Sequence, residues 1–186
     1  MKGSTATAEG ADAALISRSL QEPDAFAEIF DRYAPALHRF AARRLGDEAA
    51  DDVVSETFLN AFQHRRRYNA EYGTARPWLY GIATNVIRRR RRTEVSHYQA
   101  SLRDGARPLP SGLVEDGVTT LAVNRPLVSA IAGLKAGDRD VLLLVAWAEF
   151  TYEETAAALS IPVGTVRSRL NRARTQVREA LEANHG

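Results

Sequence analysis

The chain has 186 residues, 45% hydrophobic and 26% charged, enough for one or two small soluble domains with a packed core. It has no cysteine, which excludes a disulfide framework and any cysteine-based zinc site. The formal net charge is only +2, and the longest apolar run, Val141 to Ala148, is far shorter than the ~20 residues of a membrane span.

Along the chain, residues 1–21 predict a disordered tail, and its first part, Met1 to Gly10, lacks the basic and apolar regions of a secretion signal. From Asp24 the pattern turns helical. Phe26, Ile29, Phe30, Tyr33, Leu37, Phe40 and Leu45 share one face. Pro35 predicts a kink or a split into two helices. Gly46 ends the stretch and Asp47 is placed to cap a helix to about Arg67, with Val54, Phe58, Ala61 and Phe62 inward. A loop over 68–76 contains the breakers Asn69 and Gly73. Pro77 then opens a helix in which Trp78, Ile82 and Val86 form one stripe and Leu79, Ala83 and Ile87 another. It runs straight into Arg88 to Arg92. Residues 22–92 thus read as a first helical domain.

Segment 93–126 holds Pro108, Pro110, Pro126 and three glycines with little periodicity, and predicts a linker between domains. A second domain follows over 127–182, with 183–186 as a tail. A short helix ends near Leu134, and Gly137-Asp138 is expected to cap a helix from Arg139 to about Glu149. Thr151-Tyr152-Glu153-Glu154 is a capping box. Ser160-Ile161-Pro162 makes a tight turn, and a last helix from Val163 to Leu181 buries Val166, Leu170, Ala173, Val177 and Leu181. No segment reads as a strand. The expected fold class is all-α: two small helical domains joined by a flexible linker, the C-terminal one a helix-turn-helix.

The near-neutral charge hides two basic islands. Segment 64–92 carries nine arginines against Glu71, and segment 163–186 carries five against Glu179 and Glu182. Clustered arginine suits a phosphate backbone, though a solvated helix face has the same composition. In the second domain a capped helix, a turn and a longer basic helix suit the major groove. Gly164, Thr165, Arg167, Ser168, Arg169 and Arg172 lie on or near the outward side of that last helix. Arginine grips guanine or phosphate in bidentate fashion, and hydroxyls bond base edges or phosphates.

Three stretches resemble one family. TYEETAAALSIPVGTVRSRLNRA from Thr151 is similar to the C-terminal DNA-reading domain of extracytoplasmic-function (ECF) RNA polymerase sigma factors of the sigma-70 family. DVVSETF from Asp52 resembles the family's polymerase-gripping segment, and PWLYGIATNVIRRRRR from Pro77 its promoter-melting helix. They occur in family order over about residues 22–182. The resemblance implies that Asp52, Ser55, Glu56 and Phe58 dock on the clamp helices of the largest subunit of core RNA polymerase, with a further contact to the flap of the second-largest subunit. It implies that the loop from His64 to Arg76 captures a base flipped from the minus-ten element, with Tyr68 and Tyr72 as stacking faces. It places Trp78 and Asn85 in the melting helix and sets Arg88, Arg89 and Arg92 on phosphates. The last helix would read the minus-thirty-five element of promoter DNA.

Plainer readings stand beside these. Trp78 lies in a buried stripe and Asn85 can be satisfied inside the bundle. Asp51, Asp52 and Glu56 suit a helix N-terminus. Two positions depart from the family: Ser55, where glutamine is usual, and Ser160, where glycine is usual. The histidines His38, His64, His97 and His185 are dispersed, and there is no phosphate-cradling loop or nucleophile elbow. The expectation is a cytoplasmic protein without enzymatic activity, metal, cofactor or membrane contact of its own, held by an anti-sigma factor. The alternatives are a stand-alone helix-turn-helix regulator, a DNA-processing enzyme such as a recombinase, and a helical interaction protein with basic faces.

Overall fold

The structure, a computed structural model, describes residues 6–103 and 125–183, with side chains over 10–71, 73–93 and 125–183. The regular structure of the described residues is all helical, with no strand among them. The helices are α1 (Ala6–Arg18), α2 (Ala27–Leu45), α3 (Asp47–His64) and α4 (Arg76–Arg103), followed by α5 (Arg125–Ala132), α6 (Ala136–Trp147), α7 (Tyr152–Leu159) and α8 (Val163–Ala183). Short 3-10 turns at Pro23–Phe26, Arg65–Arg67 and Ala70–Tyr72 join them.

Several expectations are corrected. The segment expected to be a disordered tail contains α1, whose Leu15 and Ile16 are buried in the first domain's core. Burial of those two side chains anchors the alanine-rich helix to the domain. Pro35 does not split its helix, because α2 continues through it. The carbonyl that loses its donor belongs to Asp31, and both Asp31 and Pro35 are exposed, so water can satisfy it. Helix α4 continues to Arg103, past the expected end near Arg92. The linker residues 104–124 and the tail residues 184–186 lie outside the described part.

Helix ends follow local chemistry. Gly46 has φ 85 and donates its N–H to the Ala42 carbonyl at 2.8 Å, closing α2 in a conformation that glycine adopts without strain. Asp47 sits inside the first turn of α3 and makes no side-chain cap. The capping box forms as expected: Thr151 N–H donates to Glu154 at 2.8 Å and Glu154 N–H donates to Thr151 Oγ1 at 3.1 Å. Asp138 does not cap α6, which begins earlier, at Ala136.

The core of α1–α4 is built from Ile29, Leu37, Phe40, Val53, Leu79 and Ile87. A smaller cluster of Val141, Ala156, Val166 and Leu170 holds α6–α8 together. The two domains also close on one another. Leu144, Phe150 and Ala158 join the first domain's core, and Tyr80 packs against Phe150 with ring centroids 5.0 Å apart. Helix α4 crosses α7 at Gly81, where an added Cβ would lie 2.4 Å from the Ala158 carbonyl oxygen. Only a glycine permits that approach.

Candidate nucleic-acid interface

The last helix presents a narrow outward strip. Gly164, Arg167 and Ser168 are exposed and Thr165 is partly so. They share a face at steps of three and four. Asn171 completes that face and is exposed, a position the sequence reading missed although its spacing from Arg167 gives it away. Arg169 and Arg172 turn back instead. The Arg169 guanidinium lies over Gly137, and Arg172 makes a two-bond pair with Asp138 at 2.7 and 2.8 Å. That pair holds the Asp138 carboxyl below its ordinary 3.8, chiefly through the hydrogen bond from Arg172.

The arginine run of α4 is not one basic face. Successive helical residues point about 100° apart, so five in a row wrap the helix. Arg88 donates to Asp140 at 2.5 Å, Arg90 pairs with Asp52 at 3.1 Å, and Arg91 donates to the Arg44 carbonyl at 2.8 Å. Arg89 pairs with Glu56. Arg92 is exposed. Arg76, at the start of α4, donates to the Ala148 carbonyl, faces Glu154 at 3.5 Å and lies 4.4 Å over the Phe150 ring. Arg76 and Arg88 are therefore held by the second domain.

An open cavity of about 470 Å³ runs between α3 and α4, lined by Asn60, His64, Arg67, Trp78, Asn85 and Arg89. Asn85 is exposed there, which corrects the reading that places it inside the bundle. Trp78 is partly buried, with one side packed on Tyr68 at a centroid distance of 5.1 Å. The Tyr68 hydroxyl is buried without a hydrogen-bond partner, and burial pushes its phenol up to about 12. Tyr72 ends a 3-10 turn, and its side chain lies outside the described part.

On α3, Asp52 and Ser55 are exposed and Glu56 is partly so. Phe58 is not a surface residue: it is buried and stacks on Phe30 at 4.7 Å. Leu59 takes its place on the Asp52 and Ser55 face at 56% exposure, and Phe30 stands at 43%. Sequence periodicity assigned Phe30 to the core and passed over Leu59. An apolar side chain one step off the buried stripe was the available signal. No group of three or more potential metal ligands occurs among the described residues, and none of their helices is long and apolar enough to cross a membrane.

Comparison with known proteins accounts for this arrangement. The family model for sigma-70 region 2 matches residues 29–96 and that for sigma-70 region 4 matches residues 124–177. The chain is 31% identical to the ECF RNA polymerase sigma factor SigW of Bacillus subtilis, over 86% of this chain and 90% of SigW. The chain belongs to the ECF group of sigma-70 RNA polymerase sigma factors. It is also 35% identical to the sigma factor CarQ of Myxococcus xanthus, over 85% of this chain and 90% of CarQ. Among solved structures it resembles CnrH in complex with the cytosolic domain of CnrY, at TM-score 0.65 and 25% identity over 93% of this chain and 98% of CnrH. It also resembles sigma factor RpoE from Bartonella quintana in complex with the anti-sigma factor NepR, at TM-score 0.62 and 25% identity over 86% of this chain and 98% of RpoE.

As a sigma factor, the protein serves transcription initiation, and the regulator and recombinase alternatives fall away. Of the two departures from the family pattern, Ser55 is exposed on the α3 surface beside Asp52. Ser160 adopts the left-handed conformation, φ 52 and ψ 48, that glycine favours. Its N–H and that of Ile161 return to the Ala157 and Ala156 carbonyls at 3.3 and 3.0 Å, so the helix end forms without glycine.

Proposed function

We propose that this sigma factor reads promoter DNA in two places. The exposed strip Gly164, Thr165, Arg167, Ser168 and Asn171 meets the upstream element in the major groove. The cavity edged by Arg67, Trp78, Asn85 and Arg89 meets the unpaired downstream strand. The α3 surface of Asp52, Ser55, Glu56 and Leu59 docks on the clamp helices of core RNA polymerase, and α8's domain on the flap. The observation that carries this reading is the exposure of Arg167 and Ser168 near the start of the helix-turn-helix's last helix, where the neighbouring Arg172 is paired with Asp138 and Arg169 lies over Gly137. The two domains bind weakly alone, and tethering on one polymerase raises their effective concentration at correctly spaced elements.

Arg76 and Arg88 reach DNA only after leaving their partners in the second domain, so promoter binding requires the domains to part. An anti-sigma factor, as in the solved relative RpoE–NepR, fits as the partner that controls this step. The protein works in the cytoplasm and lends no chemistry of its own, the polymerase supplying the reaction. The test is promoter binding by the holoenzyme with Arg167→Ala. Discrimination between intact and mutated upstream elements should drop on the order of tenfold or more, the loss of one base-reading arginine. Unchanged discrimination contradicts the assignment.

A further inference from the structure

Asp12 belongs to none of these residue sets, and its helix is the one the sequence pattern did not predict. Its side chain is fully buried. Oδ1 accepts from Arg32, while Oδ2 accepts from the Tyr33 hydroxyl and, at 2.8 Å, from the backbone N–H of Ala75. A buried carboxylate is costly unless the fold supplies donors. Here they come from α2 and from the distant connection between α3 and α4.

Ala75 is the last residue before α4, so this bond fixes the C-terminal end of segment 65–75. The other end is held by the turn that follows α1, where Arg65 Nε donates to the Ser19 carbonyl at 3.3 Å. Ser19 is itself fully buried, with Oγ donating to the Ile16 carbonyl at 2.6 Å. Helix α1 thus straps both ends of a segment whose Arg66 and Arg67 are exposed and whose Tyr68 rests on Trp78.

We infer that Asp12 is a positioning residue for strand capture: by holding the Ala75 N–H it sets the conformation in which Arg66, Arg67 and Tyr68 meet the unpaired downstream strand. The inference rests on the proposal that this loop binds that strand. It deepens that proposal by assigning the loop's geometry to a helix outside both matched family regions.

The experiment uses full-length protein bound to core RNA polymerase. The probe is a fluorescein-labelled single-stranded oligonucleotide carrying the downstream element of a promoter that the holoenzyme transcribes. Asp12→Ala should weaken probe binding about tenfold, the scale of a lost hydrogen bond to a carboxylate. Asp12→Asn, which keeps one carbonyl for Ala75, should restore most of it. Affinity for core should not change. Hydrogen exchange should accelerate over 65–75 in Asp12→Ala and stay slow in the middle of α3 and α4, which general destabilisation would not leave untouched. Should Asp12→Ala not fold, Asp12→Ser, with one oxygen in place of two, carries the same test.

The double variant Arg66→Ala, Arg67→Ala separates the two claims. If it weakens probe binding and Asp12→Ala does not, the role of Asp12 is overturned while the loop assignment stands. If it leaves probe binding intact, the loop assignment fails, and unaltered exchange over 65–75 in Asp12→Ala would overturn the strap as well.

Discussion

Arg44 and Asp140, 96 positions apart, form an ion pair at 2.5 Å whose side chains are 2% and 1% exposed. Arg44 lies on α2 and Asp140 on α6, so the pair joins the two domains, and Arg88 from α4 adds a second cation to the same carboxylate. Removing one member of a buried pair strands a charge and costs about 3–5 kcal/mol. Asp140→Ala should therefore lower the melting temperature by roughly 6–20 °C for a chain of this size. A shift under about 2 °C would mean that the pair is solvated and not the joint described here.

Gly81 tests the same joint without touching charge. In an exposed helix, glycine to alanine stabilises by about 1 kcal/mol. At Gly81 the new methyl would meet the Ala158 backbone, which cannot move aside as a side chain end can. Gly81→Ala should raise the radius of gyration in small-angle scattering and preserve the helical content. It should also free Arg76 and strengthen binding of the isolated protein to single-stranded DNA. A variant as compact as the parent refutes close packing of α4 on α7.

These joints explain what the sequence could and could not show. The spacing of Leu37, Phe40, Val54 and Leu79 made the helices legible, as did the local chemistry of Gly46 and of the Thr151–Glu154 box. The outward face of the last helix was legible in part: Gly164, Arg167 and Ser168 are exposed as expected, while Arg169 and Arg172 turn back and Asn171 was missed. What stayed hidden depends on distant partners. Asp12 reads as a solvated acid until Ala75 and Tyr33 arrive to meet it. Arg88 to Arg92 read as one basic patch because residue type says nothing of which carboxylates lie alongside. For Phe58 the periodicity, which places it inward, is right and the motif resemblance, which makes it a contact, is not: it is buried against Phe30.

Ser160 carries strain that glycine relieves. A left-handed residue with a Cβ costs roughly 1–2 kcal/mol, part of which glycine forfeits as extra entropy in the unfolded chain. Ser160→Gly should raise the melting temperature by about 1–4 °C, with DNA binding unaltered. A lower melting temperature would show that the serine adds something its backbone does not reveal.

The Asp138–Arg172 pair predicts a pH dependence. The folded carboxyl lies below its ordinary 3.8, so its contribution is complete above about pH 4 and fades as pH falls through the lowered value. Asp138→Asn should melt a few degrees below the parent at pH 7, and the gap between the two should narrow as the pH falls below 3.8. A difference that persists at low pH would trace the effect to packing and not to the ion pair.

Run-off transcription bears most directly on the central claim, with purified core RNA polymerase and a genomic promoter library, in the presence and absence of this protein. The account predicts promoter-specific transcripts that appear only when the protein is added and that disappear when either promoter element is scrambled. Core that neither binds the protein nor changes its transcripts, alongside protein that by itself protects defined duplex sites, would contradict it.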